Sequence, residues 1–360
     1  MHLLHISKKT IFSFIFVGTL FSFSSNLFAK ENPFVANRKA VTEAIKKNDL
    51  QTVSSLIPLK VSVDDPAFDG SDSLPLIEAV YLGRDKIAEY LIQCGANVNE
   101  KVSGKTVLYK TIKASYHVPK ENRADTLKLL IANGVDIEAK CDGQQNALHL
   151  ACLNGKDYFE IAQALIEAKA NIEALSSDDE TPLMKACQAY DNIDTVMLLL
   201  EQGANINAED IKGQTPLIKA AISYNDNVAK MLIARNANIE AKDNKYCTAL
   251  THAAETGKVK TAEALVNAKA NVDVVDSYGT TPLMAAIIAK NLSMVKFLIA
   301  SKAEVNFRTK RDTYIKISSG LYLPSSYTET VSRGSTALTF SKKYGTEAIT
   351  EALIAAGAIE

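Results

Sequence analysis

The chain has 360 residues, 47% of them hydrophobic and 22% charged, with 40 Lys and Arg set against 41 Asp and Glu. That much apolar material is enough to fold, and a formal charge of −1 argues against a nucleic-acid binder, which carries a basic excess. There is no Trp, so any reading that needs a large aromatic anchor is weakened.

Lys8 and Lys9 precede a Phe-rich apolar run, Ile11–Leu20. Ser22, Ser24, Ser25 and Asn26 then lower the hydrophobicity, and Leu27-Phe28-Ala29 offers a small residue at a cut. The pattern predicts a secretory signal peptide over 1–29. Its apolar core is short for a membrane span, and an uncleaved anchor is the competing reading. Removing it takes away two lysines and no acid, leaving 38 basic and 41 acidic residues. The many Lys, Ile and Asn residues suggest a bacterial source, which makes the expected location periplasmic or secreted.

Residues 30–36 read as a short polar lead. Residues 37–68 read as an amino-terminal cap of two helices, with Val41, Ala44 and Ile45 in the first and Leu50, Val53, Leu56 and Ile57 in the second. Asp49 is placed to cap the second helix, and Pro58 and Pro66 punctuate its end.

A unit then recurs over 69–99, 100–139, 140–173, 174–207, 208–240, 241–273 and 274–306, with a closing unit at 334–360. Its marker leucines are Leu76, Leu108, Leu148, Leu183, Leu217, Leu250, Leu283 and Leu338, spaced 32, 40, 35, 34, 33, 33 and 55 residues apart. In the unit at 208–240, Thr215 caps a helix and Pro216 occupies its first position, where no N–H is needed. Leu217 and Ala220 face inward, and a second helix follows with Val228, Met231 and Leu232 on its apolar face. Gly95, Gly134, Gly203 and Gly357 end second helices, where a left-handed residue is wanted; four units put Lys169, Asn236, Lys269 or Lys302 there instead.

These cores (Thr-Pro-Leu-Met-Lys-Ala at 181–186, Thr-Pro-Leu-Ile-Lys-Ala at 215–220, Thr-Pro-Leu-Met-Ala-Ala at 281–286) resemble the ankyrin repeat. The resemblance implies an all-α solenoid of stacked helix-turn-helix units with short β-hairpin loops, forming one domain over 30–360. It also implies a non-catalytic scaffold or adaptor that grips a protein partner with its loops and first helices. We expect a monomer with no cofactor, no metal, no nucleic acid and no stable membrane span once the signal is cleaved. A secreted effector acting on a host protein is an alternative, as is an enzyme or metal-dependent protein with a site within 308–333.

The last spacing exceeds the period by 22 residues, which places an insertion within Arg308–Arg333. Two alternating runs, 313–318 and 321–324, flank Ser319-Gly320 and predict a hairpin with a two-residue turn there. Long loops in compact folds are usually functional or disordered. Tyr314, Lys316, Tyr322 and Tyr327 are therefore candidate partner contacts, within a region made basic by Arg308, Lys310, Arg311 and Arg333. A second candidate is the column through the fifth core position, where Lys110, Lys185, Lys219 and His252 either form a basic strip for an acidic partner segment or simply solubilise the helix surface.

The five cysteines are not expected to pair. Cys152 and Cys187 occupy the small-residue slot held by Ala221 and Ala254, and Cys94, Cys141 and Cys247 lie apart in the repeat frame. His149 is expected to make structural hydrogen bonds. No His-Glu-x-x-His run, phosphate-binding glycine loop or Gly-x-Ser-x-Gly elbow is present. The acidic run Ser177-Asp178-Asp179-Glu180 reads as a solvated turn, with a calcium site as the alternative.

Overall fold

The structure is a computed structural model that describes residues 33–57, 63–64, 74–113, 118, 120–223, 225–310, 312–317 and 327–360. The expected signal peptide, Pro58, Pro66, His117, the Ser319-Gly320 turn and Tyr322 lie outside the described residues. Among the described residues, no helix is long and apolar enough to cross a membrane.

Two compact units are present. One lies within Met1–Ala79 and Lys86–Ala96; the other comprises Val80–Asp85 and Asn97–Glu360. In the first, α1 (Pro33–Lys46) packs on α2 (Leu50–Leu56) through Val41, Ala44, Ile45 and Val53. Asp49 caps α2 as expected, its side chain accepting from Thr52 N at 3.0 Å. Helix α1 starts at Pro33, inside the stretch read as a lead: proline's fixed φ and missing N–H suit a helix's first turn. Helices α3 (Pro75–Tyr81) and α4 (Asp85–Gln93) follow.

The second unit holds the helix pairs α5 (Val107–Ile112) and α6 (Lys120–Ala132), α7 (Ala147–Leu153) and α8 (Phe159–Glu167), and α9 (Pro182–Gln188) and α10 (Ile193–Glu201). They are followed by α11 (Pro216–Ile222) and α12 (Asp226–Ala234), α13 (Ala249–Thr256) and α14 (Val259–Asn267), α15 (Pro282–Ile288) and α16 (Leu292–Ala300), and α17 (Ala337–Tyr344) and α18 (Glu347–Ala355). First helices pack on the next first helices and second helices on the next second helices, each pair meeting its neighbours in sequence. A short ladder, β1 (Lys101–Val102) with β2 (Lys105–Thr106), precedes α5.

The marker leucines of this unit, from Leu108 to Leu338, are all buried, as are the small residues Ala220, Ala221, Ala253, Ala254, Ala285 and Ala286 that let helices approach. Burying one such leucine contributes about 2 kcal/mol. Threonine caps recur as read: Thr181, Thr215 and Thr281 each accept the N–H three residues on, with proline at the first helical position.

A side-chain stitch reinforces the stacking. Asn99 Oδ1 accepts from Asp136 N, Glu138 Oε1 from Asn171 N, and Glu173 Oε1 from Asn205 N, each at 2.7 Å. Asn207 continues it to Asn238 at 2.8 Å, Glu240 to Asn271 at 2.8 Å and Asp273 to Glu304 at 2.9 Å. The last stitch runs from Asn306 Oδ1 to Ile359 N at 2.8 Å, across the whole insertion. The closing unit therefore stacks directly on 274–306, and the insertion is looped out.

The insertion forms an antiparallel pair, β3 (Thr313–Ile317) with β4 (Tyr327–Val331), in the register Thr313 to Val331 and Ile317 to Tyr327. The sequence reading pairs 313–318 with 321–324, whereas among the described residues the partner of β3 is 327–331. The physical reason is strand chemistry. Residues 327–331 read Tyr-Thr-Glu-Thr-Val, rich in β-favouring side chains, whereas the earlier run ends in Pro324, which cannot donate to a ladder.

The second helices end as expected. Lys169, Asn236, Lys269 and Lys302 have φ of 68°, 61°, 74° and 66°, alongside the glycines in the other units. A Cβ built on Gly95, Gly134, Gly203 or Gly357 meets nothing within 4 Å, so the cost at the lysines is backbone strain rather than crowding. Replacing Lys169, Lys269 or Lys302 singly by Gly should raise stability by about 0.5–1 kcal/mol, measured by urea unfolding, because relief of left-handed strain exceeds glycine's extra unfolded-state entropy. An unchanged or lower midpoint in all three would contradict it.

Candidate functional site

The inter-repeat loops are built on one recurring carboxylate. Asp210 Oδ1 accepts from Lys212 N and Gln214 N at 2.8 Å each, Asp243 Oδ1 from Lys245 N and Cys247 N at 2.9 Å each, and Asp276 Oδ1 from Tyr278 N and Thr280 N at 2.9 and 2.8 Å. Ser176 Oγ does the same work one unit earlier, accepting from Asp178 N and Glu180 N. Successive loop tips then join through backbone bonds: Ser177 N to Gly143 O, Ile211 N to Asp178 O, Asn244 N to Lys212 O and Ser277 N to Lys245 O, at 2.7 to 3.0 Å.

Neighbouring tips are therefore side by side, and they present Leu175, Ile211, Tyr246 and Tyr278 to solvent. Tyr246 is 59% exposed. It also sits at φ 61°, where the flanking repeats place Gly213 and Gly279. A bulky aromatic in that region is strained, so Tyr246 carries a backbone cost.

Under the tips lies the predicted cationic column, and it is not a free basic strip. Lys185 and Lys219 are each only 7% exposed. The ammonium of Lys185 meets Glu180, while Lys219 Nζ lies 2.8 Å from Glu180 Oε1 and 2.6 Å from Asp210 Oδ2. Gln188 Nε2 also donates to Glu180 Oε1 at 2.6 Å. Both lysine charges are thus consumed inside the fold, because Glu180 of the supposedly solvated acidic run turns inward. Burial by itself would raise the Glu180 carboxyl, but the bonds from Lys185, Lys219 and Gln188 outweigh it and bring its pKa down to about 2. Burial likewise pulls the Lys219 ammonium down, and Asp210 and Glu180 more than reverse this.

His252, one unit later, is 9% exposed. Its Nε2 lies 2.8 Å from Asp243 Oδ2 and its Nδ1 3.1 Å from Glu255 Oε2. Burial favours the neutral ring, but the two carboxylates dominate and raise its pKa to about 9, leaving an imidazolium. Cys247 is buried beside this pair, and the ligand atoms of Asp243, Cys247 and His252 lie within 4.8 Å of one another. The sequence offered a signal for this cluster in the spacing Asp-x3-Cys-x4-His, which is not a familiar metal motif and went unused. Lys110 is separate from all of these; half-buried, it holds its Nζ 5.4 Å from the centre of the Tyr81 ring, a cation–π contact.

The remaining candidates are placed as follows. Tyr314, Lys316 and Tyr327 lie on the β3–β4 pair, where Tyr314 pairs with Thr330, Lys316 with Thr328 and Tyr327 with Ile317. At the root of the pair, Thr313 and Val331 are buried, Asp312 Oδ1 accepts from Arg333 N at 2.8 Å, and Glu329 lies 2.8 Å from Lys343 of α17. His149 is fully buried, with Nδ1 2.6 Å from Asn146 Oδ1 and Nε2 2.9 Å from Glu180 O of the next unit. Cys152 and Cys187 are buried as the repeat frame requires, and burial pushes both thiols up. A buried thiol whose pKa is raised is a poor nucleophile, although Cys152 follows His149 by three residues on α7.

Acid should expose the dependence on Glu180. Its folded pKa is below the ordinary 4.5, so its contribution is present above about pH 4.5 and is lost as pH falls towards 2. Glu180→Gln should lower stability near pH 7 by about 3 kcal/mol, as for a broken buried ion pair, and flatten the acid limb of the stability curve. A variant with unchanged stability at neutral pH would show that the network is neutral to folding.

The comparisons agree with this architecture. Family models described as "Ankyrin repeats (3 copies)" match residues 156–243 and 217–309, "Ankyrin repeats (many copies)" matches 112–166, and "Ankyrin repeat" matches 72–102. The chain is 28% identical over 116 residues to α-latroinsectotoxin-Lt1a of Latrodectus tredecimguttatus; the match takes in 32% of this chain and 8% of the toxin. The match spans under a tenth of that curated relative's length. The ankyrin repeat domain of Bcl-3, described as a unique member of the IkappaB protein family, superposes with a TM-score of 0.51 at 26% identity, over 63% of this chain and 98% of that domain. Matched over well more than half its length by ankyrin models, and carrying the capped helix pairs those models describe, the chain belongs to the ankyrin-repeat family.

Proposed function

We propose that this chain is a non-catalytic scaffold, exported by means of the segment 1–29, that captures a protein partner on its loop tips and on the β3–β4 hairpin. Ankyrin repeats are protein-interaction modules, and the observation that carries the reading here is the row Leu175, Ile211, Tyr246 and Tyr278, with Tyr246 held at φ 61°. Exposed aromatic and aliphatic side chains on adjoining rigid loops are the kind of surface that anchors an interface. Buried Lys185, Lys219 and His252 set the charge beneath that surface rather than touching a partner, so a partner's acidic segment would instead meet Lys110, Lys316, Lys310 and Arg333. Tyr314 and Tyr327 of the β3–β4 pair are the contacts proposed for the insertion, together with Tyr322, which lies outside the described residues. A secreted effector acting on a host protein is the same scaffold used outside the cell. The toxin likeness lends that use little support, since it covers 8% of the toxin.

The test is quantitative capture of one partner, first identified from the native envelope or culture fluid. Tyr246→Gly should hold or raise unfolding stability, by up to about 1 kcal/mol through relief of strain, while weakening capture at least tenfold. Ile211→Ser and deletion of 312–328 should each weaken capture without unfolding the repeats. Equal capture by all three variants would sink the docking assignment. Amino-terminal sequencing of the exported protein checks the signal: a chain beginning near residue 30 is expected, and one beginning at Met1 would overturn cleavage.

A further inference from the structure

The interior column offers one place that suits a metal ion rather than a fixed cation. In consecutive repeats the tenth position counted from the loop acid is occupied by Lys219, His252 and Ala285, and the fifth by Gln214, Cys247 and Thr280. The loop acid itself is constant: Asp210, Asp243 and Asp276. In the first of these repeats the acid meets a permanent ammonium, Lys219 at 2.6 Å. In the second the same acid meets an imidazole that can give up its proton, with a thiol beside it. The carboxylate frame that calls for a cation is kept, and the built-in cation is exchanged for two groups that ligate metals once deprotonated.

We infer that Asp243, Cys247 and His252 form a three-ligand site for a borderline divalent ion such as zinc. The donor set is one carboxylate, one thiolate and one imidazole, a combination zinc accepts, with water left for the fourth position. The ligands are pre-placed. Asp243 Oδ1 is pinned by the N–H groups of Lys245 and Cys247, which leaves Oδ2 for the ion and ties Cys247 to the same turn. Glu255 Oε2 accepts from His252 Nδ1 at 3.1 Å, which orients Nε2 as the ligating nitrogen; a carboxylate behind a histidine ligand is the usual outer support of zinc sites.

Binding releases two protons, one from the Cys247 thiol and one from His252 Nε2, and the ion replaces the direct hydrogen bond between the ring and Asp243. That bond is 2.8 Å long, whereas nitrogen and oxygen ligands on a tetrahedral zinc stand about 3.4 Å apart. His252 and Asp243 therefore separate by about half an ångström, which a side-chain rotation supplies. Among the described residues, this is the cluster of three metal-ligating groups that the fold brings together.

Cobalt reports on it directly, because a thiolate–cobalt bond gives a near-ultraviolet charge-transfer band. The full chain carrying Cys94→Ser and Cys141→Ser, which removes the exposed and half-buried thiols, should take up one equivalent of Co2+ with that band and lose it to Zn2+. Zn2+ should also raise the unfolding temperature. Cys247→Ser should abolish the band. His252→Lys, which installs the residue used one repeat earlier and keeps the pair with Asp243, should stay folded by circular dichroism and bind at least a hundredfold more weakly. No band in the parent protein, or a band and affinity that survive either substitution, would overturn the site.

Discussion

The second unit depends on a periodic bond between a side-chain oxygen at the end of one repeat and a backbone N–H at the same place in the next. Asn99, Glu138, Glu173, Asn207, Glu240, Asp273 and Asn306 make it in turn. A two-helix unit of this size cannot bury its leucines alone, so its stability comes from its neighbours. The stitch sets how those neighbours meet. It satisfies an N–H outside any helix, fixes the step from unit to unit, and tolerates 22 extra residues before the last step because it bonds positions in space rather than in sequence. The insertion forms a strand pair whose root is tied to the stack by buried Thr313 and Val331 and by the Glu329–Lys343 pair.

Charge inside the stack follows the same unit-to-unit logic. Glu180 belongs to one repeat and Lys219 to the next, and Asp210 completes a chain of alternating charge that runs across the boundary. Such a network adds little net stability compared with apolar packing, since desolvation offsets most of the attraction. It does penalise any other register, which would strand a buried charge. The helices' apolar positions are nearly interchangeable between repeats, so this selectivity distinguishes one stacking order from another. At His252 the same column changes character, from a charge that is always present to one that depends on protons.

The loop tips show the opposite balance. Their roots are tied by the recurring aspartate and by backbone bonds to the adjoining tips, which leaves little freedom in the backbone. Their outer positions carry exposed side chains, and Tyr246 is held there at a left-handed φ of 61°. Rigid backbone with exposed apolar side chains lowers the entropy lost on binding. The exposed tips and the ionic column are two faces of one turn: the aspartate that shapes the tip also anchors the cation below it.

The period, the threonine and proline caps, the buried leucines and alanines, and the lysines in left-handed positions were all legible in the residues, because each depends on contacts within a repeat or on φ alone. The hairpin's position was legible but its register was not. Alternation marks a strand, yet the choice between 321–324 and 327–331 rests on which strand can complete a ladder. The column was misread for a related reason. Sequence places Lys185, Lys219 and His252 on a helix surface, and only the stacked structure reveals that Glu180, Asp210 and Asp243 lie against that surface and remove it from solvent. Local chemistry fixes what a single repeat becomes; the neighbour one period away decides which of its charges remain free.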